Sequence, residues 1–141
     1  MRKSAGTRSS GLGRRIGIAR QSKRRAGITA AQWRELEALW KLRVYERALG
    51  RCERCGGTGG LQCHHVFTRR IKSMFADLRN GVLLCKGCHF WWHNLAQGGE
   101  QWTWFVQKYG ENRLNALRVT HSVLPKPDYD RIKAALTQGC D

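Results

Sequence analysis

Residues 64–94 read HHVFTRRIKSMFADLRNGVLLCKGCHFWWHN, and this stretch decides the fold. It opens on an adjacent histidine pair, His64 and His65, near the end of a short segment, Leu61–Val66, that reads as a strand. A basic, irregular stretch follows, and then a second short apolar run, Val82-Leu83-Leu84. Cys85 opens the segment CKGCHFWWHNLA, which reads as a helix after its first turn and is expected to end near Gly98. The order is strand, loop, strand, helix.

Two cysteine pairs bracket these elements. Cys52-x2-Cys55 and Cys85-x2-Cys88 have the spacing at which a turn points two thiolates at one tetrahedral ion. One zinc shared by both pairs would staple the start of the strand region to the start of the helix. The competing reading is four free or redox-active thiols. Cys63 reads as a buried strand residue and Cys140 as an exposed thiol near the chain end. Four of the five histidines (His64, His65, His89, His93) fall between the first cysteine pair and the end of the following helix. His89 and His93 are four apart, on one helical face. Cys88 and His89 are adjacent, so their side chains diverge by about 100° and one helix can serve two ions. His64 and His65, neighbours on a strand, also point to opposite sides.

Outward from this centre the chain is helical. Thr29 and Gln32 have the form of a capping box, and Trp33, Leu36, Trp40 and Val44 recur at steps of three or four, with Leu39 widening the stripe. With Gly50 as its stop, a helix is expected from about Ala30 to Leu49. Beyond the central unit, helices are expected at Glu100–Tyr109, Glu111–Val123 and Tyr129–Gln138. Phe90, Trp91, Trp92, Trp102, Trp104 and Phe105 are spaced for helices packing on one another rather than for base stacking. His121, alone on a helix, reads as structural. The organisation is a basic arm (1–27), an N-terminal helix (28–51), a zinc-stapled core (52–97) and a C-terminal helical region (98–141).

The charge names a class of partner. Lys and Arg number 26 against 10 Asp and Glu, for a formal net charge of +16. A balance this basic points to a polyanion, and the lack of a long apolar run favours nucleic acid over a membrane. Residues 1–27 hold nine of the basic side chains and no acidic one, so they carry over half of the net charge. They read as a flexible arm gripping phosphates, with Arg14, Arg15, Lys23, Arg24 and Arg25 as candidate contacts. A solvated solubility tail is the alternative. The first residues contain no apolar run of a secretory signal, and their glycines disfavour an amphipathic transit helix. Six cysteines in that setting imply metal binding in a reducing compartment, and a cytoplasmic location is expected.

Cys-x2-Cys, His64-His65, Asn80, then Cys85-x2-Cys88-His89 with His93 after it, resembles the zinc-stapled branch of the HNH nucleases found in phage and prophage genomes. The likeness spans about Cys52 to Asn94, extends loosely over the WFVQKYGENR segment, and leaves out the basic arm. It implies an α+β protein with a ββα-metal core and a structural Zn2+ at Cys52, Cys55, Cys85 and Cys88. It further implies a catalytic divalent cation (Mg2+, Mn2+, Ni2+ or Zn2+) at His64, His89 and His93, with His65 as general base. Asn80 would hold the loop carrying His65, and Arg69 and Arg70 would clamp phosphates. The implied activity is hydrolysis of double-stranded DNA to 5′-phosphate and 3′-hydroxyl ends, by nicking or double-strand cleavage. Phage DNA-processing or packaging proteins would be possible partners, with the host cytoplasm as the location.

The residues alone leave simpler readings open. One of the histidine pair could replace a cysteine in the zinc site, His93 could cap its helix, Arg69 and Arg70 could be solvated charge, and Asn80 could merely turn the chain before Gly81. A zinc-dependent DNA-binding module without catalysis, a branched-DNA or junction-resolving nuclease, and a nuclease acting on RNA are the competing functions. Neither a target sequence nor an oligomeric state is encoded in any recognisable motif.

Overall fold

A stripe of apolar residues on the first helix builds one half of the protein. The computed structural model describes residues 27–138, where helix α1 spans Ala30–Arg47. Thr29 starts it with a reciprocal capping box: its hydroxyl accepts from Gln32 N at 3.2 Å, and Gln32 Oε1 accepts from Thr29 N at 2.9 Å. Leu36, Trp40 and Val44 are buried, Trp33 and Leu39 half-buried. The helix ends two residues before the expected Leu49, because Leu49 and Gly50 both turn into the left-handed region (φ 52° and 63°). The arm residues Arg14, Arg15, Lys23, Arg24 and Arg25, and also Cys140, lie outside the described residues.

The two apolar runs form an antiparallel pair, β1 (Leu61–His65) and β2 (Gly81–Cys85). The register sets Cys63 against Leu83, His64 against Val82 and His65 against Gly81. Strand alternation then sends neighbours to opposite faces, and both faces are covered. On one face Val82 and Leu84 join a core with Val66, Met74, Trp92, Phe105, Leu114 and Leu117. On the other, Leu83 joins Leu36, Trp40, Val44, Phe75 and Leu136. Burying each of these side chains contributes about 1.5–3 kcal/mol. Cys63 is half-buried rather than buried, its Sγ 3.6 Å from the Lys41 carbonyl.

The remaining helices complete the two layers. α2 (Lys86–Phe90) continues into a wider turn of π geometry at Trp91–Leu95, where the sequence suggested one uniform helix. After it come α3 (Glu100–Tyr109), α4 (Glu111–Val123) and α5 (Tyr129–Gln138), at the expected positions. Trp92 and Phe105 are buried and Trp91, Trp102 and Trp104 half-buried, but Phe90 is exposed and does not belong to the core. It falls on the outer side of a helix whose inner side is taken by Cys88 and Trp92. α5 is tied to α1 by Arg43, whose guanidinium donates to the carbonyls of Leu136 (2.6 Å) and Thr137 (2.9 Å) at the end of α5. The molecule is therefore α+β, with a small two-stranded sheet between helical layers. No helix among the described residues is long and apolar enough to cross a membrane.

Gly81 shows how closely α1 sits on the sheet. Its φ of −106° is open to any residue, so the glycine is not needed for a turn. It is needed for space, because a Cβ there would lie 2.5 Å from Val44 Cγ2 and 2.8 Å from Trp40 Cζ2. Gly81→Ala is expected to destabilise the protein by about 1–3 kcal/mol, the usual cost of overpacking. Urea denaturation measures this, and an unchanged midpoint would contradict the packing described.

Candidate metal centre

The first cysteine pair sits on a tight loop between α1 and β1. Gly56, in the left-handed region (φ 76°), lets the loop close with Gly56 N donating to Cys52 O and Cys52 N to Gly57 O, both at 2.8 Å. The second pair sits where β2 becomes α2. Cys85 is the cap of that helix, its Sγ accepting from Cys88 N at 3.5 Å. The loop reaches β2 through Glu53, whose N donates to Leu83 O at 2.8 Å while Leu83 N donates to Glu53 Oε2 at 2.6 Å. The edge of β2 not paired with β1 is thereby satisfied, and the two cysteine pairs are brought together.

The four sulfurs all lie within 4.8 Å of one another. Cys55 Sγ and Cys85 Sγ are 3.7 Å apart, against about 3.8 Å for an edge of a tetrahedron with 2.3 Å zinc–sulfur bonds. Their acidity is divided unevenly. Burial raises the Cys52 thiol, but backbone N–H groups of Cys85, Cys55 and Arg54 outweigh it and bring the group down to about 7. Burial first, and then its cysteine neighbours, push Cys88 up to about 12 despite Arg54, whose guanidinium donates to Cys88 Sγ at 3.6 Å. Four thiols so placed do not all ionise unless a cation joins them, and the cluster could hold a metal ion.

One residue further along α2, the other face of the helix carries a second cluster. The ligand atoms of His64, His89 and His93 also lie within 4.8 Å of one another. Their rings form a near-equilateral triangle, with centroids 4.9, 4.9 and 4.8 Å apart and planes 76°, 81° and 75° to one another. His64 comes from β1, His89 from α2 and His93 from the wide turn after it. His64 Nε2 is buried with no hydrogen-bond partner, which is costly unless something else binds it. Burial first, and then the neighbouring imidazoles, lower the His64 pKa to about 3. His89 is shifted down by burial and by His93. Three imidazoles with their ligand atoms gathered this closely could hold a metal ion.

His65, next along the strand, faces the opposite way. Its Nε2 lies 2.8 Å from Phe75 O. A carbonyl only accepts, so Nε2 carries the proton and Nδ1 is the nitrogen with a free lone pair. Burial holds the ring below its ordinary pKa, partly offset by the Phe75 carbonyl. Asn80 is fully buried and clamps the loop that follows. Its Oδ1 accepts from Phe67 N at 2.7 Å, and its Nδ2 donates to Phe67 O and Met74 O, each at 3.1 Å. That loop exposes Arg69 and Arg70, whose guanidinium groups make no hydrogen bond or ion pair among the described residues. His121 is exposed, its ring 5.5 Å from that of Phe67, outside the histidine cluster.

Three charged residues that support this centre escaped the sequence reading. Arg47 donates to the carbonyls of Leu78 (2.8 Å) and Gly81 (2.7 Å) and pairs with Glu53 at 3.3 Å. Arg113 donates to the carbonyls of Arg79 and Gly81, both at 2.9 Å, and stacks 3.9 Å over the Tyr109 ring. Burial first, and then Arg47, lower its pKa to about 10. Together they grip the backbone on either side of Asn80. Nothing in their spacing separates them from ordinary surface charge.

A depressed histidine pKa has a signed consequence for stability. Between about 3 and 6.5 the unfolded chain protonates residue 64 while the folded chain does not. The contribution is therefore present above pH 6.5 and is lost as pH falls towards 3. Metal-free protein is expected to lose stability across this window, and His64→Gln to flatten the loss, as read by thermal unfolding at successive pH values; equal slopes would contradict it. Comparison with known proteins leaves this geometry to speak for itself: no family model, curated protein or solved structure matches the chain.

Proposed function

We propose that the chain is a metal-dependent endonuclease of the HNH type that hydrolyses DNA phosphodiester bonds. In this reading β1, β2 and α2 form a ββα-metal unit, the four cysteines hold a structural zinc, and His64, His89 and His93 hold the catalytic cation. The observation that carries it is the division of labour between strand neighbours. His64 turns into a cluster of three imidazoles, while His65, next to it in the strand, keeps a ring nitrogen with a free lone pair. A DNA-binding module needs the cysteines but has no use for the second cluster.

Three imidazoles without a carboxylate leave Mg2+, Mn2+, Ni2+ and Zn2+ open. When bound, the cation would supply positive charge to the scissile phosphate and the departing oxygen. His65 would take the proton of the attacking water at Nδ1, its Nε2–H remaining on the Phe75 carbonyl. The water oxygen would bond to phosphorus as the bond to the 3′ oxygen breaks, the departing oxygen taking a proton from solvent, to leave 5′-phosphate and 3′-hydroxyl ends. Asn80 would act through the loop rather than on substrate, fixing the segment that carries both Arg69 and the Phe75 carbonyl. Arg69 and Arg70, exposed beyond the histidine pair, would bind flanking phosphates, and the basic residues of segment 1–27 would add affinity that falls steeply with salt.

Supercoiled plasmid incubated with Mg2+, Mn2+ or Ni2+, beside an EDTA control, tests the reading. Nicked or linear product is expected only with metal. His65→Ala is expected to lower the rate by about 10²–10⁴-fold, the usual worth of a general base, with DNA binding retained. Binding without cleavage under every metal would instead favour the zinc-dependent binding module or a nuclease restricted to branched DNA.

A further inference from the structure

Two aromatic residues from different parts of the chain pack against His65. The Trp40 indole of α1 is stacked on its ring, with centroids 4.0 Å apart and planes only 8° from parallel. Phe75 contributes its ring, at 5.6 Å and 27°, and its carbonyl, which holds Nε2 at 2.8 Å. A histidine at a strand end would otherwise rotate about its terminal side-chain bond. The hydrogen bond limits rotation in the ring plane, and the indole limits tilt out of it. Between them they define where Nδ1 sits.

Trp40 is itself held more firmly than a core residue requires. It is 1% exposed, and its Nε1 donates to Asp77 O at 3.0 Å, within the same segment that Asn80 clamps through Met74. Gly81, the cross-strand partner of His65, lacks the Cβ that would come 2.8 Å from the indole. One indole thus touches the imidazole of residue 65 and the strand partner of that residue, and is bonded to the segment that supplies its hydrogen-bond acceptor.

We propose that Trp40 is a positioning residue for His65, setting by face-to-face stacking the direction in which the free ring nitrogen is presented. The kinetic part of this inference rests on the nuclease reading above, whereas its spectroscopic part does not.

The test uses the full chain with zinc bound and two variants, Trp40→Phe and Trp40→Leu. Both keep an apolar side chain and lose the bond to Asp77, but only Phe can stack. With plasmid as substrate, Trp40→Leu is expected to lower kcat about tenfold or more at unchanged KM and zinc content, and Trp40→Phe to stay within about threefold of the wild type. In long-range 1H–15N spectra, wild-type His65 is expected as the Nε2–H tautomer, with its ring protons shifted upfield by the indole. The upfield shift should persist in Trp40→Phe, while Trp40→Leu loses it and shows the averaged ring resonances of an imidazole no longer held in one orientation.

Equal kcat losses in the two variants, or a wild-type rate and His65 spectrum in Trp40→Leu, would overturn the proposal. If the wild-type protein cleaves nothing, the nuclease reading fails, and the His65 spectra still decide the positioning role. Should Trp40→Leu not fold, the wild-type spectrum is decisive by itself, because an unshifted His65 ring there excludes the stack.

Discussion

The register of one short antiparallel pair governs everything else. Setting His64 against Val82 and His65 against Gly81 commits two adjacent histidines to opposite faces of the sheet. A slip of one residue would exchange them, removing His64 from His89 and His93 and His65 from Trp40 and Phe75. Strands of five residues cannot hold such a register alone. It is held from outside, by Glu53 bonding the free edge of β2, by Arg47 and Arg113 on the carbonyls around Asn80, and by α1 pressed against Gly81. The same alternation puts apolar residues of β2 into both cores, so breaking the register would also expose both.

α2 repeats the device on a helix. Cys88 and His89 are consecutive, and the turn between them sends one into the cysteine cluster and the other into the histidine cluster. The wide turn at Trp91–Leu95 keeps His93 beside His89 while turning Trp92 inward against the His64 ring, 4.9 Å away. Two candidate metal centres therefore share one short helix, and whatever orders the first also places a ligand of the second. In the proposed function this coupling would let a structural ion tune the placement of His89, one of the three imidazoles that would hold the catalytic ion.

Much of this was legible in the sequence because its determinants are local. The capping box at Thr29, the Leu36–Trp40–Val44 stripe, the two Cys-x2-Cys pairs and the four-residue step from His89 to His93 are each set within a few residues of chain. What stayed hidden depends on pairs distant in sequence that no spacing rule joins. Trp40 reads as one member of an apolar stripe, and only the folded chain lays it on His65. Glu53, to which no motif assigns a role, bonds Leu83 thirty positions later. By spacing alone Asn80-Gly81 has the look of a turn; the loop-holding asparagine follows only from the family resemblance, and the glycine as a gap that accommodates an indole from neither. Phe90 reads as core because it stands in an aromatic run with Trp91 and Trp92, whereas its own angle on α2 faces outward.

The cysteine and histidine clusters are expected to take up two metal ions in chemically different ways. Native mass spectrometry of the intact protein with zinc, before and after brief exposure to EDTA, measures it most directly. Two ions are predicted, one retained by four thiolates and one stripped from three imidazoles. A protein that never takes up more than one ion, or that loses both at the same rate, would rule out two distinct metal centres.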